Sequence, residues 1–126
     1  MSTSEVQPAR TAPTQYDLLT SFTQYGELED FSYRGAKRVS ARIFVPTGRT
    51  KDQLTATLDR AARAIAKEAR ANAVSILAYG PQDDPTGPYT AASADYAPNG
   101  KWDDAHIEAP MQLRVDFNEA YFSTRP

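Results

Sequence analysis

The feature that most constrains the fold of this sequence is one long amphipathic segment, "TKDQLTATLDRAARAIAKEARA", between two short apolar segments. It begins at Thr50, and the pair Thr50 and Gln53 fits the capping box of a helix N-terminus. Apolar residues then recur every three or four positions, which is typical of a helix with one buried face. Many of them are alanines, which favours close packing against a sheet. They are Leu54, Leu58, Ala61, Ala62, Ile65 and Ala69.

Both flanking segments are predicted to be strands. "RVSARIFV" alternates in residue type, and "AVSILAY" is short and rich in β-branched residues. Because short connections join strand, helix and strand, the two strands should be parallel with a right-handed crossover. In the first strand Arg38 and Arg42 lie opposite the apolar face, so that second face should not be covered by another layer. The apolar face consists of Val39, Ala41, Ile43 and Val45.

Three more strands are predicted around this unit. "ELEDFSY" precedes it, and a tight turn at Arg34–Lys37 joins them, where Gly35 can adopt a positive φ. "PYTAASADYA" follows and stops at the turn signal "PNG", and "PMQLRVDF" alternates as a half-buried strand. The prediction is an α+β fold, a single mixed sheet of about five strands with one long amphipathic helix on one face, in the order β-β-α-β-β-β. An earlier segment, "YDLLTSFTQY", could be a short helix or an extended lead-in.

Composition bounds the domain organisation. The 126 residues are enough for one domain, which we place at residues 16–126. Residues 1–15 are polar and aperiodic, and we predict a disordered leader there. The leader lacks the apolar core of a signal peptide, and no run of about 18 apolar residues could span a membrane. The chain has no cysteine, which excludes disulfides and thiol chemistry and fits a cytoplasmic protein.

The charge is nearly balanced overall but unevenly distributed. Fourteen Lys/Arg and 16 Asp/Glu residues give a net charge of −2. Residues 1–79 hold 11 Lys/Arg against 8 Asp/Glu, a net of +3, and residues 80–126 hold 3 against 8, a net of −5. The basic half favours an anionic ligand. Its excess is too small for a protein that grips duplex nucleic acid by its phosphates.

The stretches "ARIFVPTGRTKDQLTATL" and "ANAVSILAYGPQDDPTGPYTAASADYAPNGKWDDA" resemble a small uncharacterised domain found in bacterial and phage proteins, sometimes fused to lipoprotein leaders. The shared pattern is a strand ending in Val-Pro, a Thr-led helix, an Ala-Val strand ending in Tyr, an acidic Gly/Tyr-Thr turn and Ala-Pro-x-Gly-x-Trp. The resemblance covers about residues 26 to 105. It implies the α+β fold and adds no catalytic residue.

Two acidic clusters could carry enzymatic chemistry. Asp104, His106 and Glu108 would share one face of an extended segment and could bind a divalent metal, as in a small metal-dependent hydrolase. The competing interpretation is a solvated acidic linker. Asp83 and Asp84 could be a catalytic carboxylate pair, although capping a turn is the commoner use of such residues. The sequence contains no phosphate loop, nucleophile elbow or dinucleotide fingerprint.

The connections around the later strands concentrate residues that are suited to binding a ligand. Tyrosine and tryptophan stack on planar rings, and arginine pairs with phosphate or carboxylate. The candidate ligand-binding residues are Arg38, Arg42, Tyr79, Asp84, Thr86, Tyr89, Thr90 and Trp102. Arg42 and Trp102 in particular are expected to contribute to one site. The competing interpretation is that the tyrosines cover the edge of the core and that Trp102 closes the sheet.

These observations favour a non-enzymatic binding domain that captures a small anionic or nucleotide-like molecule, without a cofactor or a metal. In a phage protein such a domain could sequester a host defence signal. The alternative is a protein-interaction or assembly module, in which the exposed sheet face and the aromatic residues meet a second subunit of a homo-oligomer. Duplex nucleic acid and membranes are not expected partners.

Overall fold

The computed structural model describes residues 18–124, which form one five-stranded sheet with a long helix on one face. The strands are β1 (Thr23–Asp30), β2 (Arg38–Phe44), β3 (Ala73–Tyr79), β4 (Ala92–Pro98) and β5 (Met111–Phe117), and the helices are α1 (Lys51–Ala69) and α2 (Glu119–Thr124). The predicted α+β fold is confirmed. The predicted leader, residues 1–15, lies outside the described residues. Within residues 18–124 no helix is long and apolar enough to cross a membrane.

The topology assigns every connection to one of two ends of the sheet. The strands lie side by side in chain order, β2 and β3 are parallel as predicted, and all other neighbours are antiparallel. One end therefore carries the hairpin loop (residues 31–37) and the β4–β5 loop (residues 99–110). The opposite end carries the β3–β4 loop (residues 80–91).

The core lies between α1 and one face of the sheet. β2 buries its apolar face, and its other face is half-buried. The Thr50 hydroxyl accepts a hydrogen bond from the Gln53 backbone, and the Gln53 side chain accepts one from the Thr50 backbone, so the predicted capping box is confirmed. Of the predicted helical stripe, Ala69 is half-buried. The buried members are Leu54, Leu58, Ala61, Ala62 and Ile65.

Two segments differ from what the sequence predicts. The segment "YDLLTSFTQY", predicted as a short helix or an extended lead-in, contains both kinds of structure in its described part, because Leu18 and Leu19 are helical and β1 begins at Thr23. The pairing of β1 with β2 shifts register between Tyr25 and Glu29, where Gly26 has a φ of +67°. A glycine in this left-handed conformation is typical of a β-bulge. The sequence does not predict α2, because six residues are too few to show a helical period.

Arg49 fastens the segment before β1 onto α1. The residue is only 9% exposed. Its guanidinium donates to the carbonyl oxygens of Leu18 at 2.8 Å and Ser21 at 2.6 Å, and to the Thr57 hydroxyl at 3.1 Å. Burial lowers the pKa of Arg49, yet a guanidinium stays protonated in a protein. Its charge is therefore balanced by carbonyl and hydroxyl dipoles, since none of the described ion pairs includes it.

Candidate functional site

The hairpin loop is closed by a tight two-residue turn. Tyr33 and Ala36 exchange two backbone hydrogen bonds of 3.0 Å, and Arg34 and Gly35 between them have φ angles of +52° and +82°. Two positive φ angles at the centre of a hairpin are typical of a type I′ turn. Glycine adopts this conformation freely, whereas a residue with a long side chain adopts it at a conformational free-energy cost of about 1 kcal/mol or more. The turn therefore keeps an arginine at a position that asparagine or glycine would occupy with less strain.

Arg38 joins the hairpin loop to the β4–β5 loop. Its Nε donates to the carbonyl oxygen of Phe31 at 3.0 Å. Its guanidinium carbon lies 5.0 Å from the centre of the Trp102 ring and 6.0 Å from that of Tyr33, both within cation–π range. Phe31 and Trp102 meet edge-on, with ring centres 6.2 Å apart. The structure thus brings together Arg38 and Trp102, two of the predicted site residues.

A cleft of about 590 Å³ opens between the two loops, and we call it the hairpin cleft. Its volume lies within the range of small-molecule sites, roughly 300–1,000 Å³. A second, more open cleft of about 480 Å³ continues from it past Arg34 toward Asn72 and Glu108. The residues that line the hairpin cleft are Tyr33, Arg34, Ala36, Arg38, Asp103, Ala105 and His106.

The two arginines of the hairpin cleft differ in their partners. Arg38 lies 3.8 Å from a carboxylate oxygen of Asp103, and its side chain is 19% exposed. Arg34 has no carboxylate partner among the described residues, and its guanidinium carbon lies 5.2 Å from the centre of the Tyr33 ring. The Asp103 side chain is 95% exposed. The cleft therefore presents an unpaired guanidinium, an accessible carboxylate and the His106 imidazole to an incoming molecule.

Contacts from neighbouring elements fix the base of the hairpin cleft. The side-chain oxygen of Asn72 accepts from the backbone nitrogen of Lys37 at 2.8 Å, and the backbone nitrogen of Asn72 donates to the Lys37 carbonyl oxygen at 2.7 Å. Ala36 and Ala105 pack in one buried cluster of alanines, against which Trp102 rests. Small side chains let the two loops approach closely. The cleft is thus a pair of loops held by a rigid scaffold, a common arrangement for binding sites.

Other predicted site residues lie at the opposite end of the sheet, in or under the β3–β4 loop. Arg42 donates to the Tyr79 hydroxyl at 2.7 Å and to the carbonyl oxygens of Pro85 at 2.9 Å and Gly87 at 3.3 Å. Tyr79 is fully buried and donates its own proton to Gly87 at 2.6 Å. The whole of β4 separates this loop from Trp102, and a strand of that length spans roughly 20 Å. The structure therefore does not bring Arg42 and Trp102 together.

The polar side chains of the β3–β4 loop form hydrogen bonds within the loop. The Asp83 carboxylate accepts from the Thr90 hydroxyl at 2.6 Å. The Asp84 carboxylate accepts from the hydroxyl of Thr86 at 2.7 Å and from its backbone nitrogen at 2.9 Å. Both bonds lower the pKa of Asp84, and the bond from the hydroxyl has the larger effect. Tyr89 is half-buried in the same loop. The contacts of both carboxylates are those of turn caps rather than of a catalytic pair.

We expect Arg42→Ala to destabilise the protein by about 2 kcal/mol, because it removes three hydrogen bonds that anchor the β3–β4 loop. Arg42→Lys keeps the charge but loses the planar fork, so it should recover less than half of that free energy. Urea unfolding of the three proteins measures the effect. A free energy of unfolding for Arg42→Ala equal to that of the wild type would show that the loop does not depend on this anchor.

The segment proposed as a metal site is not extended. Trp102–Asp104 form a 3₁₀ helix that a turn follows, so the alternation that would place Asp104, His106 and Glu108 on one strand face does not occur. The Asp104 carboxylate accepts from the Asn99 side-chain nitrogen at 3.2 Å. Among the described residues, no three His, Cys, Asp or Glu side chains are grouped to hold a metal ion.

Of the aromatic and charged side chains that line the hairpin cleft, sequence reasoning missed Tyr33, Arg34 and Asp103. The strand order offered a usable signal, because it already places the hairpin loop and the β4–β5 loop at the same end of the sheet. The only sequence signal for the left-handed conformation of Arg34 is the glycine that follows it, Gly35.

Comparisons with known proteins bear on the fold. No protein-family model matches the sequence, and no curated protein matches it. Among solved structures, the chain is similar to a DUF487 family protein from Desulfovibrio piger ATCC 29098, at 26% identity with a TM-score of 0.51. The similarity covers 74% of this chain, which spans 59% of the length of that protein. DUF487 is an uncharacterised domain family, which agrees with the resemblance to a small uncharacterised domain.

Proposed function

We propose that this protein binds a small anionic, nucleotide-like molecule in the hairpin cleft. The observation that carries the proposal is Arg34, whose guanidinium lines the cleft without a carboxylate partner among the described residues. Its backbone occupies the left-handed region, and such strain is typically retained at functional positions. Since asparagine or glycine would form this turn more easily, stability does not account for the arginine.

The neighbours of Arg34 suit a ligand that combines an anionic group with a planar ring. A guanidinium presents parallel N–H donors to phosphate or carboxylate oxygens. The ring of Tyr33, a residue that is 59% exposed, could stack on a base once Arg34 turns from it toward the anion. The cleft volume of about 590 Å³ is sufficient for a mononucleotide.

The proposed action is capture, so that the protein lowers the free concentration of its ligand. Because the resembled domain occurs in phage as well as in bacterial proteins, sequestration of a host defence signal is the biological setting that we propose. This setting rests on the resemblance and on the cleft chemistry together.

We expect Arg34→Asn to weaken nucleotide binding about tenfold or more while the stability of the protein stays equal or rises. Asparagine tolerates the left-handed conformation, so the turn should persist. The loss should shrink as salt is added, because salt screens the pairing of guanidinium and anion. Calorimetric titration with a panel of linear and cyclic nucleotides, beside thermal melts, measures both quantities.

Arg70→Asn is the matched control. Arg70 is exposed at the C-cap of α1 with a φ of +54°, and it does not line the hairpin cleft. Its replacement removes the same charge from the same backbone conformation. Equal losses of affinity in the two variants would indicate a general charge effect. If no nucleotide of the panel bound the wild type, the proposed function would be rejected.

A second candidate function, association with a protein partner, is favoured by the exposed apolar side chains beside the cleft. Phe31 is 48% exposed and Ile107 is 40% exposed. Aromatic residues and arginine are enriched at interface cores. Native mass spectrometry separates the two functions, because association raises the subunit count with concentration while a ligand adds a small fixed mass.

A further inference from the structure

We infer that Asp103 selects a ligand that carries neutral hydroxyl donors, as the vicinal diol of ribose does, so that the hairpin cleft prefers ribonucleotides over 2′-deoxyribonucleotides. This inference rests on the proposed function and names the substrate class of the same site. It comes from the accessible carboxylate of the cleft, which the pairing of an anion with Arg34 leaves unexplained.

Asp103 is placed to accept hydrogen bonds from a ligand. Its side chain is 95% exposed at the cleft, and its described charged contact is Arg38 at 3.8 Å, which is beyond hydrogen-bond distance. An ionised carboxylate only accepts, and its two oxygens can take one O–H each from neighbouring hydroxyls. A carboxylate that hydrogen-bonds a ribose hydroxyl is also a recurring device in nucleotide recognition on other folds.

Charge fixes the direction in which such a ligand would lie. A phosphate is repelled by Asp103 and attracted by Arg34, so the anionic end belongs at the hairpin turn. Arg38 already lies 3.8 Å from Asp103 and 5.0 Å from the centre of the Trp102 ring, which leaves Arg34 as the cation of the cleft without a carboxylate partner among the described residues. The groups opposite Asp103 must therefore be hydrogen-bond donors, and the donors that a nucleotide offers away from its phosphate are neutral.

Neutral donors on a nucleotide are of two kinds, the sugar hydroxyls and the N–H groups of the base. The ring is expected on Tyr33, which belongs to the hairpin loop, whereas Asp103 belongs to the β4–β5 loop across the cleft. With the base on Tyr33 and the phosphate at Arg34, the sugar that connects them is the part of the ligand that can face Asp103. We therefore assign the contact to the hydroxyls, and a contact with the N–H groups of the base becomes an outcome of the test.

The test is calorimetric titration of the full chain with the four ribonucleoside 5′-monophosphates and their 2′-deoxy counterparts. The wild type is expected to bind each ribonucleotide about tenfold more tightly than its deoxy form, the usual effect of a hydrogen bond to a charged group. Asp103→Ala is expected to reduce that ratio to about one. Removal of the Asp103 charge changes the affinity for a ribonucleotide and for its deoxy form by the same factor, so this electrostatic effect cancels in the ratio of the two affinities.

Asp104→Ala is the matched control. Asp104 follows Asp103 in the same 3₁₀ helix and accepts a hydrogen bond from the Asn99 side chain, but it does not line the hairpin cleft. It should leave the ratio at about tenfold. The inference is overturned if the wild type binds ribo and deoxy forms equally, if both variants lower the ratio alike, or if Asp103→Ala changes the preference among bases instead. Each of these results leaves nucleotide binding intact, whereas the absence of all binding rejects the proposed function itself.

Discussion

Replacement of Arg49 by methionine is expected to destabilise the protein by about 3 kcal/mol. The substitution removes hydrogen bonds from a charged donor to Leu18, Ser21 and Thr57, and each such bond contributes about 1.5–3 kcal/mol. Methionine fills much of the vacated volume, and the desolvation of the buried cation is relieved, so the net loss is smaller than the sum of the bonds. The loss that remains arises because the carbonyl oxygens of Leu18 and Ser21 no longer have a donor.

Urea unfolding measures this loss, and two variants complete the experiment. Arg49→Lys keeps the charge but presents a single point donor in place of a fork, so we expect it to lose at least 1 kcal/mol as well. Lys67→Met removes a cation from the exposed side of α1 and should change stability by less than about 0.5 kcal/mol. A loss for Arg49→Met no larger than for Lys67→Met would show that the segment before β1 does not depend on the arginine.

Leu58→Ala is expected to cost about 3 kcal/mol. Leu58 is completely buried between α1 and the sheet, and truncation of such a side chain loses its transfer free energy and leaves a cavity. Ile65, about two turns further along the same face, is also buried, and Ile65→Ala should cost about 2–4 kcal/mol.

Glu68→Ala is the comparison for both truncations, because Glu68 lies on the exposed face of α1. Thermal or denaturant unfolding of the three variants should separate the two buried positions from the exposed one by at least about 1.5 kcal/mol. Equal stabilities for all three would mean that α1 docks through a different face.

Most of the fold could be predicted from the sequence, because its signals are local and agree with one another. The capping box at Thr50, the apolar stripe of α1 and the alternation in β2 each identify an element without reference to the rest of the chain. A helix between two strands then requires the parallel pairing of β2 with β3. The bulge in β1 and the short helix α2 could not be predicted, because both depend on contacts with other segments rather than on a local sequence pattern.

The candidate site was harder to predict, because residue types were grouped by their nearness in the chain. Trp102 and the residues of the β3–β4 loop are close in sequence, yet β4 carries the chain from one end of the sheet to the other between them. The alternation in β2 correctly placed Arg38 and Arg42 on one face. Their contacts show that two arginines on one face serve opposite ends of it, Arg38 with Trp102 and Arg42 with Tyr79.

The order of the strands also has a kinetic consequence. Every pair of neighbouring strands is consecutive in the chain, so each pairing closes a loop no longer than the crossover through α1. The three antiparallel pairings are the most local and can form early, whereas the parallel pairing of β2 with β3 must close the longer crossover. The hairpin cleft is different, because the contact between Phe31 and Trp102 joins the segment after β1 to the segment after β4 and can form only when the strands between them lie side by side. A ligand in the cleft should therefore leave the refolding rate unchanged and slow unfolding, which lengthens the lifetime of the folded state rather than hastening its formation.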